Sequence, residues 1–72
     1  ERFEDAAAVM GEALRVDPNL AEAERSLAAA LEKLDRNAEA AEHLRRYLEL
    51  RPDAPDAAAV TERIRAAEKA GD

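Results

Sequence analysis

The sequence predicts an all-α protein built from four antiparallel helices. Nineteen of its 72 residues are alanine, and glutamate, arginine and leucine, which also favour helices, make up much of the remainder. Apolar residues recur at spacings of three and four, which is the period of one face of a helix. No alternating run of β-branched or aromatic residues indicates a strand. Short connections between the helical segments predict that neighbouring helices pack antiparallel.

Each helix is predicted from an apolar stripe that ends at a polar or proline-containing turn. We expect helices over residues 3–16, 21–34, 38–50 and 56–70. Their stripes are Phe3, Ala6, Ala7, Met10, Ala13 and Leu14 in the first, Ala23, Leu27, Ala30, Leu31 and Leu34 in the second, Ala40, Ala41, Leu44, Tyr47 and Leu48 in the third, and Ala59, Val60, Ile64 and Ala67 in the fourth. Gly11 interrupts the first helix and predicts either a tight helix contact or a weak point that costs about 1 kcal/mol.

The ends of these helices carry familiar signals. Pro18 stops the first helix because a proline disfavours helical backbone at the residue before it, and Pro52 stops the third in the same way. A polar turn at residues 35–37 separates the second helix from the third. Asp56 is the expected N-cap of the fourth helix, and Gly71 marks the end of that helix.

Composition excludes several classes of function. Hydrophobic residues make up 47% of the chain and charged residues 39%, and the net charge of −6 argues against binding to nucleic acid or to an anionic membrane. No apolar run approaches the roughly 18 residues that a membrane span requires. The chain has no cysteine, which excludes disulfides and thiolate metal sites. We therefore expect no cofactor, no metal, no nucleic-acid partner and no membrane insertion.

No set of residues indicates catalysis. His43 is the only histidine, and Glu39 is the one further ligand that its helix face offers, whereas a metal site needs at least three converging ligands. We expect His43 to be a solvated surface residue. Neither Ser26 nor Thr61 has a base nearby in sequence. The sequence therefore predicts that the chain is not an enzyme.

Charged residues follow the pattern of a solvated helical surface. Glu32 with Arg36, and Glu42 with Arg46, have the i,i+4 spacing of intrahelical ion pairs, each contributing about 0.2–0.5 kcal/mol. A local basic cluster follows, which we interpret as a solvated face, with an acidic partner as the alternative. Its members are Arg45, Arg46 and Arg51.

An internal repeat of 34 residues relates the first helix to the third. When the chain is displaced against itself by 34 positions, apolar residues, small residues and prolines align. The aligned pairs are Ala6 with Ala40, Met10 with Leu44, Ala13 with Tyr47, Leu14 with Leu48, Val16 with Leu50 and Pro18 with Pro52. A 34-residue period in helix-turn-helix units is the signature of tetratricopeptide repeats.

Residues 21–54 resemble one complete tetratricopeptide repeat. In the first-helix pattern of that family, the leucine is kept at Leu27. Glu24, Ala28 and Leu31 stand where the pattern has tryptophan, glycine and tyrosine. Alanine in place of glycine still allows the two helices of a hairpin to approach closely.

The rest of the chain extends this resemblance. The second-helix pattern is met by Ala40, by Leu44 in place of phenylalanine, and by Pro52. Residues 1–20 resemble the second helix of a preceding, partial repeat. Residues 55–72 look like the capping helix that often closes such an array. The resemblance thus covers nearly the whole chain and implies stacked helical hairpins in an α-solenoid.

The resemblance also implies a function and a site. It implies a non-catalytic scaffold module for protein–protein interaction, with a protein or peptide segment as the partner. In this family the first helix of each hairpin lines a groove that holds partner segments. The residues that this places towards the groove are Glu22, Arg25, Ser26, Ala29, Glu32 and Lys33. Ser26 and Ala29 stand where members that clamp a C-terminal carboxylate carry asparagine, which argues against that ligand.

The first helix has no first-helix partner within the chain, and the resemblance therefore implies the C-terminal end of a longer array. The alternative function is self-association, in which a second copy covers the free face and oligomerises a larger parent protein. The residues of this possible self-association face are Phe3, Ala7, Met10 and Leu14. Two further alternatives stay open, an appendage on an upstream enzyme and an ordinary helical bundle.

The source and compartment are weakly indicated. Richness in alanine and arginine suggests a bacterial protein from a GC-rich genome. The compartment stays open from the sequence, with the cytoplasm slightly favoured.

Overall fold

The computed structural model describes residues 2–70 as four helices. These are α1 (Arg2–Val16), α2 (Ala21–Lys33), α3 (Asn37–Leu50) and α4 (Ala57–Ala70). The all-α prediction is confirmed, and each predicted boundary inside the described range lies within one residue of the observed one. The predicted stop signal at Gly71 lies outside the described residues. No helix in residues 2–70 combines the length and the apolar character needed to cross a bilayer.

Each helix packs on the next one along the chain. α1 packs on α2, α2 on α3, and α3 on α4. Within residues 2–70, no close backbone contact joins α1 to α3 or α2 to α4. The stack of hairpins leaves a cleft lined by residues of α1, α2 and α3. We call the surface along α2 and α4, which are not in close backbone contact, the groove.

The core lies along α2 and α3 and continues to one face of α4. Ala28 on α2 and Ala40 on α3 are both 0% exposed. Their small side chains allow the two helices to approach closely. Leu44 and Val60 are the largest side chains that are almost completely enclosed. The full set of buried core residues is Leu27, Ala28, Leu31, Ala40, Ala41, Leu44, Tyr47, Ala54, Val60, Ile64 and Ala67.

Some residues of the predicted stripes do not reach the core. Ala6 and Ala59 are exposed, although both were expected to face inward. Each lies at the edge of its stripe, and each helix is the outer member of the stack with a neighbour on one side only. For the same reason α1 contains no fully buried residue.

The turn between α2 and α3 ends the first of these helices in a Schellman motif. Arg36 donates its backbone N–H to the carbonyl of Leu31 at 2.9 Å, and Asp35 donates to Glu32 at 3.1 Å. Asp35 has φ of 59°, the left-handed conformation that this motif requires and that glycine usually supplies. The polar turn predicted at residues 35–37 therefore contains a strained aspartate.

Gly11 is not at a tight helix contact. A Cβ atom built on this glycine would meet nothing within 4 Å. The sequence allowed two explanations for Gly11, a tight helix contact or a weak point in the helix. The structure contradicts the tight contact, which leaves the weak point.

Candidate functional site

The groove carries the predicted partner-binding residues on the α2 side of its surface. Four of them are exposed and follow each other at spacings of four, three and four, which places them on a single face of α2. They are Glu22, Ser26, Ala29 and Lys33. The other two, Arg25 and Glu32, are half-buried at the edge of the same helix that faces α4.

Two ion pairs span the groove. Arg25 Nη1 lies 2.9 Å from Asp56 Oδ2, at the turn that leads into α4. Arg63 holds both carboxylate oxygens of Glu32, at 3.1 Å through Nε and 2.7 Å through Nη2. The two pairs lie seven residues apart on α2, or about two helical turns. They bridge α2 and α4 where the backbones do not touch, and they form two walls of the groove.

Tyr47 of α3 anchors one of these walls. Its hydroxyl donates a hydrogen bond to Asp56 Oδ1 at 2.8 Å, and the guanidinium of Arg25 lies over its ring, 5.6 Å from the centroid. The hydrogen bond from Tyr47 is the main reason that the pKa of Asp56 lies below its ordinary value, and Arg25 adds to it. The same bond raises the pKa of Tyr47. Arg25 also binds Glu22 at 2.6 Å, which is the main cause of its own raised pKa.

Among residues 2–70, the exposed part of the groove carries small side chains and one cation without a hydrogen-bond or ion-pair partner. Ser26 and Ala29 line its α2 side. On α4, Ala59 and Ala66 are exposed and lie four residues before and three residues after Arg63, on the same helix face. Lys33 has no hydrogen-bond or ion-pair partner among the described residues. Small side chains allow the backbone of a partner segment to approach closely, and Lys33 offers it a cation.

The structure also contains a buried charged cluster that the sequence analysis missed. Glu24 is 3% exposed; His43 Nδ1 lies 2.6 Å from its Oε1 and Arg46 Nε lies 3.0 Å from its Oε2. The expectation that His43 is a solvated surface residue is therefore wrong, since it is half-buried and bound across the α2–α3 interface. Arg46 reaches further, to the carbonyl oxygen of Pro18 at 3.4 Å.

The intrahelical ion pairs predicted from spacing are replaced by other partners. Arg36 lies in the turn beyond α2 and holds both oxygens of Glu39 instead of Glu32. Arg46 binds Glu24 rather than Glu42. The remaining members of the basic cluster also face acidic residues, because Arg45 pairs with Glu68 and Arg51 lies 3.8 Å from Glu22. The predicted solvated basic face is thus largely neutralised by helices that fold against it.

The predicted self-association face is only partly free. Ala7, Met10 and Leu14 are half-buried and pack against the core, whereas Phe3 is 43% exposed. The other large apolar side chains with high exposure in the described chain lie elsewhere on α1 and in the turn after it. They are Val9, Val16 and Leu20.

Among residues 2–70, no group of three histidine, aspartate or glutamate side chains is placed to hold a metal ion. The pair of Glu24 and His43 is completed by Arg46, a cation, which does not ligate metals.

A comparison with protein families identifies this architecture. The family model described as tetratricopeptide repeat matches residues 1–64. The chain belongs to the tetratricopeptide repeat family. No curated protein and no solved structure was found to match it. Tetratricopeptide repeats generally mediate protein–protein interactions, and proteins of this family are typically non-catalytic scaffolds.

The family pattern contains one sequence signal for the buried charged cluster. In the repeat predicted over residues 21–54, Glu24 stands where the pattern has tryptophan. A carboxylate at a core position needs compensating partners when it is buried. His43 and Arg46, which are spaced three apart on α3, supply them. A charged residue at that pattern position therefore indicated a buried charged cluster. The partners of Glu24 lie on another helix, and the spacing of residues in the sequence could not identify them.

Proposed function

We propose that this tetratricopeptide repeat chain is a non-catalytic interaction module that binds a segment of a protein partner in the groove between α2 and α4. The observation that carries the proposal is a surface with exposed small side chains and with ion pairs that join α2 to α4 and to the turn before it. Ser26 and Ala29 leave room for a partner backbone. The bridges made by Arg25 and Glu32 hold the groove at a fixed width before a partner arrives.

The charges in the groove indicate how a segment would be oriented. Glu22 is already engaged by Arg25 and approached by Arg51, so its charge is largely balanced. Lys33, near the other end of α2, has no partner among the described residues. A bound segment with a carboxylate near Lys33 would therefore gain an ion pair without breaking an existing one.

A pair of steric variants tests the groove. Peptides selected against the whole chain from a random-sequence display library serve as probes, and their dissociation constants are measured by fluorescence anisotropy. Ala29→Arg places a long side chain in the groove, and we expect it to weaken binding at least tenfold. Ala58→Arg is the matched control, because Ala58 is exposed on α4 but outside the groove. Equal binding by both variants would place the site elsewhere.

A charge reversal tests the orientation. Lys33→Glu is expected to weaken the binding of acidic peptides, and Lys69→Glu, which changes the net charge equally at an exposed position of α4, is expected to leave it unchanged. An equal loss in both variants would show that overall charge, and not Lys33, attracts the peptides. Arg25 is unsuitable for this test because its substitution would break the contacts to Asp56, Glu22 and Tyr47.

Self-association through α1 is the second candidate. It is favoured by the exposed fractions of Val9 and Val16, which are 60% and 85%. The partner would be a second copy of the chain, which buries these side chains against its own α1. Light scattering over a wide concentration range would show a dimer that Val9→Glu converts to monomer, with Ala58→Glu as control. Met10→Glu is a poorer test, because Met10 packs against the core and its substitution would destabilise the monomer.

A further inference from the structure

We propose that the cleft between α1 and α3 binds a lysine or arginine side chain of a partner segment. This cleft lies on the side of α2 opposite the groove, so the inference does not depend on the function proposed above. It has a volume of about 440 Å³, within the range of sites that hold small ligands.

The walls of the cleft are apolar. Leu27 and Leu31 of α2 form its floor, and Ala7 and Ala8 of α1 form one side. The aliphatic stem of a long basic side chain packs favourably against such surfaces while its charged end reaches solvent or a polar rim. The small residues of α1 leave the space that this stem would fill.

The rim of the cleft has a surplus of acceptors. Glu39 is satisfied by Arg36, whose guanidinium binds both of its oxygens at 2.7 and 2.9 Å. Glu4 also lines the cleft, and it has no hydrogen-bond or ion-pair partner among the described residues. Its charge acts on Arg36 only through space. One negative charge on the rim is therefore left for an incoming cation.

His43 is held beside the cleft by its contact with Glu24. The Nδ1 atom of His43 lies 2.6 Å from Glu24 Oε1, and the other carboxylate oxygen of Glu24 accepts from Arg46. His43 lines the cleft. A lysine ammonium has three donors and no acceptor, and it therefore complements the carboxylate of Glu4.

The experiment uses the whole chain, labelled with ¹⁵N, and three acetylated and amidated pentapeptides, Gly-Ala-X-Ala-Gly. X is lysine, norleucine, which keeps the stem but lacks the ammonium, or glutamate. We expect saturable chemical-shift changes at Ala8, Leu31 and His43, with the lysine peptide binding roughly fivefold more tightly than the norleucine peptide, as one exposed ion pair allows. The glutamate peptide should bind least.

Two pairs of variants separate the charge from the cavity. Glu4→Gln should reduce the affinity for the lysine peptide to that for the norleucine peptide, while Glu12→Gln, on the same helix but outside the cleft, should leave it unchanged. Ala8→Leu should abolish the shifts with both peptides, and Ala6→Leu, also exposed on α1, should preserve them. Both leucine variants keep an exposed position, so the fold is retained.

Three results would overturn the proposal. They are an absence of saturable shifts, an equal affinity for all three peptides, and shifts that map to Ser26 and Ala29 in the groove instead of to the cleft.

Discussion

Tyr47 on α3 donates its hydroxyl hydrogen to Asp56, in the turn before α4, across 2.8 Å. The tyrosine is 2% exposed, so this bond ties the hairpin of α2 and α3 to the last helix from inside the molecule. Arg25 of α2 binds the other oxygen of Asp56 and covers the ring of Tyr47. One carboxylate thus joins three elements and fixes one wall of the groove.

The first prediction concerns acid stability. The pKa of Asp56 is lowered in the folded chain, chiefly by the hydrogen bond from Tyr47, and that of Glu39 is lowered by Arg36. Such groups contribute stability above the pKa of the unfolded chain, near 4, and this contribution is lost as the pH falls through the lower folded value. Asp56→Asn should reduce the free energy of unfolding at pH 7 and flatten its decline between pH 5 and pH 3.

Urea titrations at each pH provide the measurement. Asp53→Asn is the control, because Asp53 is exposed and lies in the same connection. If Asp56→Asn and Asp53→Asn gave the same profile as the unsubstituted chain, the linkage through Asp56 would be absent.

The second prediction concerns the buried carboxylate of Glu24. Glu24→Gln keeps its shape but removes the charge that faces His43 and Arg46. Hydrogen bonds to charged groups contribute about 1.5–3 kcal/mol, so we expect a loss of about 2 kcal/mol in the free energy of unfolding. Glu49→Gln, at an exposed position of α3, should change it by less than about 0.5 kcal/mol. A similar small effect from Glu24→Gln and Glu49→Gln would mean that the cluster makes no net contribution to the free energy of unfolding.

The third prediction concerns the turn after α2. Asp35 adopts a left-handed conformation that an L-residue with a Cβ reaches at a penalty of about 1–2 kcal/mol. Asp35→Gly should therefore raise the free energy of unfolding by about 1 kcal/mol. Chemical denaturation monitored by circular dichroism checks this. Asp53→Gly is a suitable comparison, since Asp53 has no positive φ to relieve and glycine there should lower stability.

The fourth prediction concerns Gly11 in α1. A Cβ at this position has open space around it, so alanine would add helix propensity without a clash. We expect Gly11→Ala to raise the free energy of unfolding by about 0.5–1 kcal/mol. Thermal and urea unfolding measure the change. A loss of stability would show that Gly11 permits a contact that the described structure does not contain.

The division of the chain into repeats stays a prediction. Helix bounds and the 34-residue period are consistent with a partial repeat, one complete repeat and a capping helix. The match over residues 1–64 assigns the family and leaves the internal boundaries open.

The candidate site could be predicted in outline. The resemblance placed Glu22, Ser26, Ala29 and Lys33 on one face of α2, and the structure shows them exposed there. The sequence could not predict which of the charged candidate residues form ion pairs within the chain. Arg25 is bound by residues of its own helix and of the turn before α4, which is far from it in sequence.

The sequence by itself determined the helices, because propensity, apolar period and proline stops act over a few residues and agree with one another. It also indicated that α2 and α3 pair, because the resemblance placed Ala28 and Ala40 between them, and both are fully buried. The tertiary structure alone decided the partners of the charged side chains. Glu24 could have remained solvated on an isolated helix, and folding α3 against it buried it with His43 and Arg46. The partner of a long charged side chain depends on which residues the fold brings close to it, and the spacing of residues in the sequence does not specify those residues.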